Sequence, residues 1–166
     1  MKKMFLALAI VVSIFASPAR AAEPNVYTLN AGLAFTGGMV GPSVGATVAI
    51  APVNGHEFYV GLEGALDFFF PGGVIMLIEI LPTAWYQFAI PNHKSIRLVG
   101  GLSLGPAIGI GNALGYLGSG AYFEFLFRPG VILELASGTE LGIDLKMGVI
   151  GSAFAFKPTA NLVYNW

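Results

Sequence analysis

Glu63, Asp67, Glu79, Arg97, Glu124, Arg128, Glu134, Asp144 and Lys146 are the residues with which this chain could do chemistry. Acids and bases interleaved in this way suit a buried ion-pair network. Where acids outnumber bases, they could also line a path that favours cations. Glu63/Asp67 and Glu124/Arg128 share a face on either a helix or a strand. Asp144/Lys146 and Arg128/Glu134 share a face only on a strand. Catalysis has little to build on. The histidines, His56 and His93, both sit among turn-forming residues and read as solvated turn positions. A hydrolase site needs a nucleophile beside a base, and two distant imidazoles make no metal centre. Without cysteine, disulfides and thiolate sites are absent. The expectation is no enzyme, no metal and no cofactor.

Period-two alternation names the elements that must carry these residues. From Tyr27, the residues Tyr27, Leu29, Ala31, Leu33 and Phe35 alternate with Thr28, Asn30, Gly32, Ala34 and Thr36. Seven further segments alternate likewise, starting near Ser43, Phe58, Val74, Ile96, Tyr122, Leu141 and Thr159. One parity in each is apolar, and the nine charged residues named above all fall on the other. Glu57, Lys94, Glu140 and Lys157 read as lying near turns, so no charge must face lipid. Helical spans compete with this reading, because 24–56 and 98–123 carry no Asp, Glu, Lys or Arg. Both stretches are broken by Gly-Gly, Gly-Pro, Asn and Ser at short intervals, which strands and turns accommodate better.

Composition agrees with a life in lipid. Hydrophobic residues make up 55% and charged residues 10%, against about 25% charged in a soluble domain. Lys2 and Lys3 precede an apolar run over 4–16 and an Ala19-Arg20-Ala21 cleavage pattern, which reads as a secretory signal peptide over 1–21. The remaining 22–166 is then one domain. Removing Lys2, Lys3 and Arg20 from eight basic residues leaves five against nine acids, a formal charge of −4. That balance offers no footprint for nucleic acid.

The last segment, 159–166, closes on Leu162, Tyr164 and Trp166 on one face, with Thr159, Asn161 and Asn165 on the other. It resembles the C-terminal assembly signal of bacterial outer-membrane barrels, and the whole layout resembles the small OmpA/OmpX type. The resemblance implies an all-β, eight-stranded antiparallel up-and-down transmembrane barrel. It also implies outer-membrane lipid and the barrel assembly machinery as partners, with no cofactor. Oligomeric state is not implied.

Eight strands leave a lumen just wide enough for side chains or one small ligand. The expected role is structural, or one of membrane integrity, around a lumen filled by a polar network of the nine charged residues. The alternatives are a narrow cation-favouring channel, with inward Gly45, Gly61, Gly101, Gly105 and Gly109 thinning one wall, and a periplasmic carrier for an apolar ligand. Counting from the turns sets Arg97 beside Glu134, and Glu79 level with Glu124 across Ala107. Turns at 52–56, 91–94 and 137–139 would face the periplasm, and connections at 37–42, 71–73, 111–120 and 151–158 the exterior. Pro82, Pro106 and Pro129 fall inside strands and are expected to mark bulges or rims. Tyr86, Phe88, Tyr164, Trp166, Phe68 and Phe70 suit interfacial girdles.

Overall fold

The computed structural model describes residues 26–50, 58–70, 74–111, 119–136 and 139–165. The expected signal peptide, Trp166 and most of the 52–56, 71–73 and 111–120 connections lie outside them. The strands are β1 (Val26–Thr36), β2 (Met39–Ile50), β3 (Phe58–Phe69), β4 (Ile75–Ile90), β5 (His93–Gly111), β6 (Gly120–Ala136), β7 (Thr139–Ile150) and β8 (Ala153–Asn165). Each pairs antiparallel with its chain neighbour, and β8 returns to β1 to close the barrel. The expected fold is the observed one.

Closure follows from the solvent that the outer wall must meet. Hydrocarbon offers no hydrogen bonds, so an open sheet edge inside it would leave a row of unpaired backbone groups. Alternation then sorts the side chains. Leu62 is 51% exposed and Phe123 59%, while inward Leu77, Leu81 and Leu126 are fully buried. The apolar face points out and the polar face in, the inverse of what an apolar-ligand carrier requires. The carrier alternative fails on that ground.

Tight turns join the strands where described. Thr36 pairs with Met39 across Gly37 and Gly38, whose φ values of 54° and 81° suit the hairpin turn that follows strand twist. Ile90 pairs with His93 across Pro91 and Asn92. Ile150 pairs with Ala153, and the Gly151 amide donates to the Phe123 carbonyl at 2.8 Å. The connections expected over 37–42 and 151–158 therefore shrink to two residues each, and β2 and β8 begin earlier than the alternation alone indicated.

The strand prolines behave differently from expectation. Pairing between β4 and β5 runs through Glu79/Ala107 and resumes at Thr83/Ser103 with the register unchanged. Pro82 and Pro106 lie within that lapse, and each keeps its partner on the other side, Leu62 and Phe123. Pro129 holds Gly100 while pairing with β7 lapses, and Pro158 holds Leu145 while pairing with β1 lapses. A proline has no N–H to give, so one ladder thins beside it without slipping. The register shifts lie elsewhere, at Ala89/Ile90 and Glu134/Ala136, next to turns.

Leu62 tests the sorting. It is outward on β3, next to lumen-facing Glu63, and pairs with Val48 and Pro82. Leu62→Arg is expected to destabilise the barrel by about 2–4 kcal/mol, measured by denaturant titration of the protein folded into lipid vesicles.

Candidate functional site

A belt of ionisable side chains crosses the middle of the lumen. Lys157 on β8 is its first hub: the ammonium lies 2.8 Å from Glu124 Oε1 and 2.9 Å from Asp67 Oδ2, and also bonds Glu79. Glu63 on β3 is the second, accepting from Lys146 and, at 3.1 Å, from Arg128 Nη1. Arg128 Nη2 donates to Asp144 Oδ2 at 2.6 Å, and Nη1 also donates to Thr83 Oγ1 at 2.9 Å. Ser103 donates to the same Thr83 hydroxyl, which in turn donates to the Leu102 carbonyl. Side chains from β3 through β8 are thereby tied together across the barrel axis.

Apolar layers close the belt off at both ends. Towards the β1–β2 turn lie Phe69, Ile75, Leu77 and Ile150, with Tyr122 packed against them, while Leu81 and Leu126 continue the same cluster down between the belt's charged residues. Towards the end where β1 begins and β8 ends, Val26, Trp85, Val99, Ile132 and Val163 form a second layer. Tyr59 stacks on Trp85 with centroids 5.3 Å apart, and the Arg128 guanidinium sits 5.7 Å over the Trp85 ring. Trp85 therefore serves both layers, as apolar stopper and as cation–π partner. Gly130 makes room for the belt, since a Cβ there would come within 2.3 Å of Asp144 Oδ1.

Glu63, Asp67, Glu79, Glu124, Arg128, Asp144 and Lys146 are brought together as the alternation places them, and Glu79 and Glu124 meet on one ammonium. Two sequence expectations need correction. Glu134 is exposed, and Arg97 pairs instead with Glu140 near the terminal end. In the ladder Arg97 stands opposite Ile132, and the register shift at Glu134/Ala136 breaks the alternation there. Glu140 and Lys157, read from sequence as turn residues, are buried. Lys157 was findable: counting back in twos from Asn161 and Thr159 reaches it, but Pro158 looked like a strand boundary. Glu140 likewise shares the parity of Asp144 and Gly142. Among the described residues no cluster of His, Cys, Asp or Glu has the geometry to hold a metal ion. Leu162 pairs with Leu29 and Leu141, and Tyr164 with Tyr27 and Thr139, so the proposed assembly segment forms the closing seam.

No family model matches the chain, and no curated protein does. Solved structures do. Neisserial surface protein A (NspA) superposes with a TM-score of 0.62 at 11% identity, covering 86% of this chain and 96% of that one. The N-terminal β-barrel domain of Pseudomonas aeruginosa OprF gives 0.59 at 12% identity, over 87% and 100%. The outer membrane enzyme PagL gives 0.53 at 16% identity, over 82% and 98%. The fold is that of the small eight-stranded barrels of bacterial outer membranes. With its apolar exterior and filled lumen, this chain shares the fold of that class.

Lys157→Met would leave three buried carboxylates without their shared cation, and removing one partner of a buried ion pair costs about 3–5 kcal/mol. The expected outcome is a loss of that size in urea titration of the refolded barrel. Adding Glu79→Gln and Glu124→Gln to the same variant should recover part of it.

Proposed function

We propose that this chain is a small integral barrel of the bacterial outer membrane with a structural or membrane-integrity role and a lumen closed to solutes. Export by a signal peptide over 1–21 and insertion by the barrel assembly machinery, guided by Leu162, Tyr164 and Trp166, belong to the same reading. The observation that carries it is the stacking of three layers along the barrel axis: an apolar stopper, an ion-paired belt and a second apolar stopper. An ion entering such a lumen from the β1–β2 turn side would have to shed water against fully buried Phe69, Ile75 and Leu77.

The polar network of the lumen acts, in this reading, as an internal brace. Six strands, β3 to β8, contribute to it, so no hairpin among them can leave the barrel without breaking ion pairs held in a nearly dry interior. A second reading, a narrow cation path, draws on the charge balance of the belt. Glu63, Asp67, Glu79, Glu124 and Asp144 face only Arg128, Lys146 and Lys157. The stoppers weigh against it.

A non-enzymatic role fits the hydroxyls and imidazole that are described. Ser103 is spent on Thr83 inside the belt, Ser119 bonds Gly111 at the rim, and His93 is exposed at the β4–β5 turn. The likeness to PagL is one of fold, and its activity does not transfer with the strands.

Planar-bilayer recording of the refolded protein separates plug from pore. The expected trace is flat, and discrete cation-selective openings would establish the channel reading instead.

A further inference from the structure

The two ends of the lumen are not equally dry. On the β1–β2 turn side a trace of exposure stops at the rim, with Met39 at 7% and Ala153 at 8%, and Phe69, Ile75, Leu77 and Ile150 behind them are 0% exposed. On the terminal side a trace of exposure persists inward: Val26 5%, Trp85 7%, Val99 8% and then Arg128 5%. A cavity of about 20 Å3 lies between that layer and the belt, bounded by Val26, Trp85 and Val99 on one side and Arg128 and Asp144 on the other. That is room for one or two water molecules.

The polar atoms around this cavity are arranged for water. Thr47 Oγ1, Gln87 Oε1, Arg128 Nε and Asn161 Oδ1 are all buried, and none has a hydrogen-bond partner within the protein. All four residues line the cavity. Gln87 Oε1 and Asn161 Oδ1 can only accept, Arg128 Nε can only donate, and the Thr47 hydroxyl can do either. A water molecule gives two hydrogen bonds and takes two, so it complements this set. Leaving such groups unpaired in a dry interior would cost each of them its desolvation penalty with nothing in return.

We propose that this cavity is a water-binding site, and that the lumen hydrates from the terminal mouth alone, as a dead-end vestibule that stops at the Arg128–Asp144 pair. The inference rests on the closed-lumen reading and adds a direction to it. Water reaches the belt past Val26, Val99 and Val163, while the Phe69–Ile75–Leu77 layer blocks it from the opposite side. The belt is therefore in contact with the compartment on one face of the membrane only.

The natural chain lacks cysteine, so a single introduced thiol is unique. Thr47→Cys places one at the cavity wall and Ala107→Cys places one in the opposite stopper, each with a small change of volume. A small charged methanethiosulfonate reagent should modify the refolded Thr47→Cys protein at least about tenfold faster than Ala107→Cys, because reaction needs a hydrated thiolate. Equal slowness at both positions would overturn the vestibule while leaving the closed lumen intact. Fast labelling at both would overturn the vestibule and the closed lumen together. On the unsubstituted protein, nuclear magnetic resonance transfer from water to the Arg128 Nε–H is expected, and its absence would refute the site without any variant having to fold.

Discussion

Hydrocarbon cannot accept or donate a hydrogen bond, and nearly every feature of this molecule follows from that constraint. Backbone groups must pair with one another, which closes the sheet from β1 round to β8. Side chains that carry charge must leave the outer face, so alternation along each strand delivers them to a lumen too narrow to hold bulk water. Once inside, they have only each other. Lys157 between Asp67, Glu79 and Glu124, and Arg128 between Glu63 and Asp144, are what a barrel of this width does with charges it cannot expose.

The belt and the thinned ladders occupy the same part of the wall. Pro82 neighbours Thr83, Pro129 neighbours Arg128 and Pro158 neighbours Lys157, and at each the backbone pairing lapses on one side. Two of the strand pairs that give up ladder hydrogen bonds there are joined again by side chains in the lumen, β4 to β5 by Ser103 and Thr83 and β6 to β7 by Arg128 and Asp144. Side-chain bonds thus connect these strands where backbone bonds between them lapse. The register survives each lapse, so the inward parity of the charges is preserved on both sides of it.

Most of the belt was legible because parity is a local property. Glu63, Asp67, Glu79, Glu124, Asp144 and Lys146 each sit in a run whose apolar partners lie on alternate positions, and a run with one greasy face has one possible orientation in lipid. Lys157 escaped because its signal is split: Phe154 and Phe156 precede it and Pro158 follows, so the run looked finished before it had begun. Arg97 and Glu134 failed for another reason. Their pairing was counted from the turns, and the β5–β6 ladder lies two residues away from that count, setting Arg97 opposite Ile132. Partner identity depends on the ladder, and the ladder is not written in either strand alone.

From the sequence by itself came the solvent, the strand count and the face of nearly every residue, since each depends on composition and on alternation within a single strand. The tertiary structure alone decided which charges meet, that apolar layers stop the lumen at both ends, and that polar atoms from β2, β4, β6 and β8 converge on one small cavity. Those outcomes depend on how far each strand slides past its neighbours around a closed ring. Each of the eight offsets constrains the others, so no segment carries the answer by itself.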